Sequence, residues 1–135
     1  MISGYKISSE TNDMDVSVIH GYISRSYWAE NIPLRTMETA INNSLCFGVF
    51  TDSGNQVAFA RMITNSATFA YLADVFVLEE HRGKGISKWI MKNIIDHPNL
   101  QGIRRMNNWG QIKIKLYFHL TPILRTNFFV ANRRA

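Results

Sequence analysis

Residues 82–87 read RGKGIS and open a predicted helix with two glycines, Gly83 and Gly85, a residue type that weakens helices. Glycine lets a partner approach the backbone closely, and the first turn of a helix carries unpaired N–H groups at the positive end of its dipole. Arg82, Gly83, Lys84, Gly85, Ile86 and Ser87 can therefore hold several successive N–H groups around a phosphate, with Lys84 or Lys88 favouring an anion there. A tight strand-to-helix turn would use the same two glycines, and spacing alone leaves both readings open. The stretch is neither the phosphate loop G-x-x-x-x-G-K-[ST] nor the dinucleotide pattern G-x-G-x-x-G.

A second chemical group lies just upstream, where Asp74 is the lone acid in the apolar run TFAYLADVFVL. A carboxylate so placed can act as a general base, bind a substrate cation, or only satisfy a nearby donor. Tyr22, Tyr27, Trp28 and Phe47 could line a pocket for a cationic amine, or could be core; Trp28, between Tyr27 and Glu30, has the most polar setting. The four histidines, His20, His81, His97 and His119, fall at no metal-ligand spacing, so no metal site is expected. Cys46 is the only cysteine, which excludes a disulfide framework and suits a cytoplasmic protein.

These residues need elements to position them. The 135 residues, 46% hydrophobic, suffice for one domain with a real core. No signal peptide and no membrane span are expected, because MISGYKISSE lacks a basic region before an apolar run and Asp74 interrupts the longest apolar stretch. Residues 14–27 read as a helix with Val18, Ile19, Tyr22 and Ile23 on one face and Asn12 or Asp13 as N-cap. A short helix starts near Pro33 and runs to about Asn42. SLCFGVF and QVAFARMIT, separated by TDSGN, form a predicted β-hairpin, and ATFAYLADVFVL a third, central strand. From Gly85, Ile86, Trp89, Ile90 and Ile94 recur at helical spacing until His97 and Pro98 end the helix, and GIRRM, from Gly102, is the next strand. Strand, glycine-rich turn, helix and strand make a β-α-β unit, so the fold class is α/β or α+β.

Over a longer span, VFVLEEHRGKGISKWIMKNII resembles motif A of the GNAT superfamily of acyl-CoA N-acyltransferases, [QR]-x-x-G-x-[GA] after a strand. Arg82 and Gly85 match its first and fourth places, while Ser87 stands where glycine or alanine is usual. The likeness reaches through SYWAENIP, NSLCFGVF, QVAFARMIT and FAYLADVFV and covers about residues 5 to 106. It implies a single α/β GNAT-like domain with a mixed, mainly antiparallel sheet flanked by helices, and acetyl transfer from acetyl-CoA to a primary amine of a small molecule or peptide. It also implies the pyrophosphate on the backbone of residues 82–87 and the pantetheine arm beside Val75, Phe76 and Val77, with a strand N–H near Phe76 or Val77 polarising the thioester carbonyl.

Residues 107–135 depart from that pattern. The family's helix with a tyrosine acting as general acid is not found; Tyr117 is followed by Phe118 and His119, so the acid role does not pass to it. This segment holds five Lys/Arg and no Asp/Glu, which agrees with the departure; a changed reading frame or recombined end is the leading reading, and a divergent but legitimate C-terminus the alternative. KIKLYF alternates like an exposed strand, which invites self-association as a homodimer. The chain divides accordingly into a 1–106 acyl-CoA-binding core and an atypical basic segment. Two rivals to an active enzyme remain: a CoA-binding, catalytically weak remnant, and a basic nucleic-acid-binding module. The second rests on charge, since residues 1–81 carry −5 and residues 82–135 carry +10, but aromatic-interleaved basic stretches are lacking.

Overall fold

Apolar alternation in the chain's middle and helical periodicity on either side produce one curled sheet with helices on both faces. A computed structural model describes residues 1–107. The elements run β1 (Tyr5–Ser8), α1 (Val16–Ile23), α2 (Leu34–Asn42), β2 (Leu45–Thr51), β3 (Gln56–Thr64), β4 (Phe69–Val77), α3 (Ile86–Asp96) and β5 (Arg105–Asn107). The five strands lie in sequence order, antiparallel except for the β4–β5 pair, which is parallel. The expected α/β class, the β2–β3 hairpin and the β4–α3–β5 unit are all present. The predicted strand reading of 113–118, and Tyr117, fall outside the described residues.

Several boundaries differ from expectation for physical reasons. Helix α1 begins at Val16, not Met14, because Asp15 takes the capping position and its side chain accepts from the Val18 N–H at 3.2 Å. Asn12 and Asp13, the expected caps, sit instead in a 3₁₀ turn, Thr11–Asp13. The helix stops at Ile23, before Tyr27, where Ser26 turns its hydroxyl onto the Ile23 carbonyl at 2.6 Å. β5 begins at Arg105, three residues after Gly102. β1 was not expected, since YKIS is too short to show a period, and it forms by pairing with β2.

The sheet separates two apolar clusters. Ile86, Ile90, Met91 and Ile94 of α3 pack against Phe47, Val49, Val57, Met62 and Leu72 on one face. Ile19 and Ile23 of α1, with Met37 and Ile41 of α2, cover Cys46, Phe59 and Phe76 on the other. Each such side chain stabilises the fold by roughly 1.5–3 kcal/mol when fully buried. Gln56, a buried polar residue, ties the second layer to the sheet: its Oε1 accepts from the Asp15 N–H at 2.7 Å, and its Nε2 donates to the Ala58 carbonyl at 3.0 Å.

β4 is irregular where it matters most. Phe59 pairs with Phe76, but Arg61 pairs with Ala73, so β4 carries one residue more than β3 between these partners. Asp74 occupies this bulge with φ +55°, a left-handed conformation that aspartate tolerates better than most residues.

Candidate active site

The bulge turns the Asp74 carboxylate toward the α1–α2 layer, where it meets two donors. Arg61 Nε donates to Oδ2 at 2.9 Å and Arg61 Nη2 lies 2.8 Å from the same oxygen. Trp28 Nε1 donates to Oδ1 at 3.0 Å. Arg61 also donates from Nη1 to the Ser44 hydroxyl at 3.1 Å, at the end of α2. One carboxylate thus joins β3, β4 and the α1–α2 connection, with the two charged side chains only 14% and 8% exposed.

Beyond the bulge the aromatic residues divide between the faces. Tyr22 stacks on Phe76 at 4.1 Å with the rings 10° apart, and exposed Tyr27 stands edge-on to Trp28 at 5.4 Å. Tyr22, Trp28, Asp74 and Phe76 therefore share one face of the sheet. Phe47 does not join them: it is buried in the α3 layer, edge-on to His97 at 5.6 Å. Alternation along β2 sends its side chain to the opposite side from Cys46.

At the end of β4 the backbone edge changes hands. Leu78 donates its N–H to the Val57 carbonyl at 2.8 Å, so by the two-residue alternation of an antiparallel ladder Val77 turns its N–H and carbonyl away from β3. Arg82 Nε donates to that Val77 carbonyl at 2.8 Å, and Arg82 Nη2 to the Tyr22 hydroxyl at 3.1 Å. Val75 and Val77 point their side chains to the α3 layer, while Phe76 points to the other.

The glycine-rich segment follows a 3₁₀ turn, Glu79–His81, that is fastened to β1 by a 2.7 Å hydrogen bond between the Tyr5 hydroxyl and His81 Nδ1. Lys84 Nζ lies 5.8 Å from the Tyr5 ring centroid. Gly83 and Gly85 take φ +79° and +85°, values that a Cβ makes costly, and a Cβ built on either would meet nothing within 4 Å. Gly85 is the N-cap of α3 and has no side chain to cap it; the first intrahelical bond runs from the Trp89 N–H to the Gly85 carbonyl. The N–H groups of Ile86, Ser87 and Lys88 thus lack helical partners at an exposed helix start flanked by Arg82, Lys84 and Lys88. No group of three or more metal-binding side chains occurs among the described residues.

A sequence profile of the Acetyltransferase (GNAT) family matches residues 15–119. The chain belongs to the GNAT acetyltransferase family. A crystal structure from Xanthomonas campestris pv. campestris, described as a GNAT-family acetyltransferase, shares 43% identity over 92% of this chain and 89% of that one, with a TM-score of 0.77. A protein of Gibberella zeae named as an acetyltransferase is 30% identical over 117 residues, which cover 73% of this chain; the chain spans 65% of that protein's length. The ribosomal-protein-alanine N-acetyltransferase of Brucella melitensis biovar Abortus 2308 is 14% identical, with 87% of this chain and 92% of that one covered and a TM-score of 0.62; this likeness shows the fold alone. The GNAT fold therefore accounts for the mixed, mainly antiparallel five-stranded sheet and its three α-helices among the described residues.

Within this GNAT domain, reading the sequence missed Arg61. A usable signal was present: QVAFARMIT and FAYLADVFV each carry one charge in an apolar strand, of opposite sign, on neighbouring strands. Cys46, on the same face, is buried, and its thiol lies 3.5 Å from the Ile41 carbonyl. Burial raises the thiol from 9.0 to about 11, against the lowering by the Arg61 charge and with a further rise from Asp74. The native state then holds this proton more tightly than the unfolded chain. Its contribution to stability is complete below pH 9 and is lost as pH rises from 9 through about 11. Iodoacetamide at pH 8 should label Cys46 slowly in the native protein and quickly in urea; equal rates would contradict this burial.

Proposed function

We propose that this protein is a cytoplasmic N-acetyltransferase that carries an acetyl group from acetyl-CoA to a primary amine of a small molecule or peptide. The observation that carries the reading is the open, uncapped start of α3: two positive-φ glycines with free space beside them, next to the outward edge of β4 at Val77, in a GNAT-family chain.

Acetyl-CoA, when bound, supplies an acyl group already activated as a thioester. The backbone of Arg82, Gly83, Lys84, Gly85, Ile86 and Ser87 would hold its pyrophosphate, assisted by the dipole of α3. Of the two strand N–H groups expected to polarise the thioester carbonyl, Val77 is favoured. Phe76 faces Phe59 within the β3–β4 ladder, whereas the Val77 N–H is turned outward. A donor fixed there before reaction stabilises negative charge as it develops on the carbonyl oxygen.

On the acceptor side, Tyr22, Trp28 and Asp74 would receive the amine. Both Asp74 oxygens already accept hydrogen bonds, yet an ionised carboxylate has about four lone-pair sites, so it can still orient an amine N–H. This favours amine binding over proton removal for Asp74. Tyr27 would lie at the rim, being largely exposed.

Calorimetric titration with CoA, together with thiol release from acetyl-CoA across a broad amine screen, tests the proposal. Saturable CoA binding with thiol release accelerated by at least one amine is expected. Binding without acceleration by any amine would favour a weak remnant, and absence of both would overturn the reading. DNA binding that falls steeply with added salt, in a chain that neither binds CoA nor releases thiol, would favour the nucleic-acid alternative.

A further inference from the structure

Arg61 lies outside the motif A stretch, residues 75–95, yet it ties together a polar cluster on the sheet face that carries Tyr22, Trp28 and Phe76. It spans from the Ser44 hydroxyl to Asp74 Oδ2, and the other oxygen of that carboxylate holds Trp28. The carboxylate it grips belongs to the residue with φ +55° in the β4 bulge, three positions before Val77. We propose that Arg61 is a positioning residue for acyl transfer, which acts through Asp74 to lock the bulge that aims the β4 edge and to hold Trp28 of the acceptor side on the same carboxylate.

The inference rests on the transferase reading above but assigns a residue that this reading does not need. Three geometric facts support it. The guanidinium uses separate nitrogens for Asp74 and Ser44, so its planar fork fixes direction as well as charge. The left-handed φ at Asp74 is a strained conformation for a residue with a side chain, and it persists where surrounding bonds over-determine it. Trp28 sits between Tyr27 and the α2 entry, and its indole N–H donates to Asp74 Oδ1. Loss of Arg61 would leave the carboxylate free to turn, and both the bulge and the tryptophan would turn with it. The 82–87 segment is fastened elsewhere, since Arg82 is held by the Tyr22 hydroxyl and by the Val77 carbonyl beyond the bulge, and His81 just before it by Tyr5, so donor binding should be spared.

The test compares wild type with Arg61→Lys, Arg61→Met and Trp28→Phe. Four quantities are measured: melting temperature, CoA affinity by calorimetry, enzyme-dependent thiol release from acetyl-CoA with hydroxylamine after subtraction of the spontaneous thioester cleavage, and the indole N–H signals in a ¹H–¹⁵N spectrum. Hydroxylamine is a small amine, mostly unprotonated at neutral pH, and needs little recognition. Trp28→Phe assigns the Trp28 signal by its loss. In Arg61→Met the Trp28 signal should move and the hydroxylamine rate should fall at least tenfold while CoA affinity changes less than threefold. Arg61→Lys should recover part of the rate, because an ammonium reaches Asp74 but cannot serve Ser44 in the same plane. An unmoved Trp28 signal and an unchanged rate in folded Arg61→Met, with only a lower melting temperature, would overturn the proposal and leave a plain structural ion pair. Should wild type neither bind CoA nor release thiol, the transferase reading fails by itself, and the Trp28 signal still decides whether Arg61 holds the indole through Asp74.

Discussion

Gly85→Ala is expected to weaken CoA binding by roughly 10- to 100-fold while leaving a folded protein, which corresponds to losing about one hydrogen bond to a charged group. The methyl group would enter the space beside the α3 N-terminus, where a built Cβ meets nothing within 4 Å and where the proposed reading seats the pyrophosphate. It would also sit on a residue at φ +85°, a left-handed conformation that costs a side-chain-bearing residue about 1–2 kcal/mol. These two effects need separating. Gly54 provides the control: it has φ +96°, has nothing within 4 Å of a built Cβ, and lies in the β2–β3 turn. Gly54→Ala should lose a similar amount of stability in urea titrations and keep its CoA affinity. Gly85→Val adds a β-branched side chain at the same φ and should be worse in both respects. Equal CoA affinity in wild type and folded Gly85→Ala would remove the phosphate from this helix start.

The parts of this fold that were legible in sequence are those fixed by local chemistry. The β2–β3 hairpin follows from TDSGN between two apolar runs, α2 from Pro33, and α3 from the spacing of Ile86, Ile90 and Ile94 after a glycine cap. RGKGIS was readable for the same reason, because positive φ at Gly83 and Gly85 is a backbone demand that only glycine meets cheaply. What sequence could not convey depends on contacts across the sheet. β1 exists because β2 offers it an edge, and α1 starts late because Gln56 and Asp15 compete successfully for its first turn. Phe47 carries the same aromatic signal as Tyr22 and Trp28, and only strand alternation decides that it faces α3. The bulge had no signal in spacing at all, and Asp74 shows its reason only beside Arg61.

That pair gives the second large effect. Asp74→Gly preserves the left-handed backbone of the bulge, since glycine adopts φ +55° without strain, and removes the carboxylate alone. It leaves the mostly buried Arg61 guanidinium without its anion and the Trp28 N–H without the acceptor it has in the native protein. Breaking one side of a buried ion pair typically costs about 3–5 kcal/mol, and the residual exposure of these two groups places the expectation near the lower end, about 3 kcal/mol. Arg61→Met should cost a comparable amount, because the Asp74 carboxylate is then stranded in turn. The double variant Arg61→Met with Asp74→Gly strands neither charge, and methionine still fills part of the volume beside Cys46. Its cost should therefore fall well short of the sum of the single variants, with a coupling of about 1–3 kcal/mol in urea denaturation. Additivity within about 0.5 kcal/mol would mean that the two residues act independently, and it would also remove the physical link through which Arg61 is held to fix the bulge.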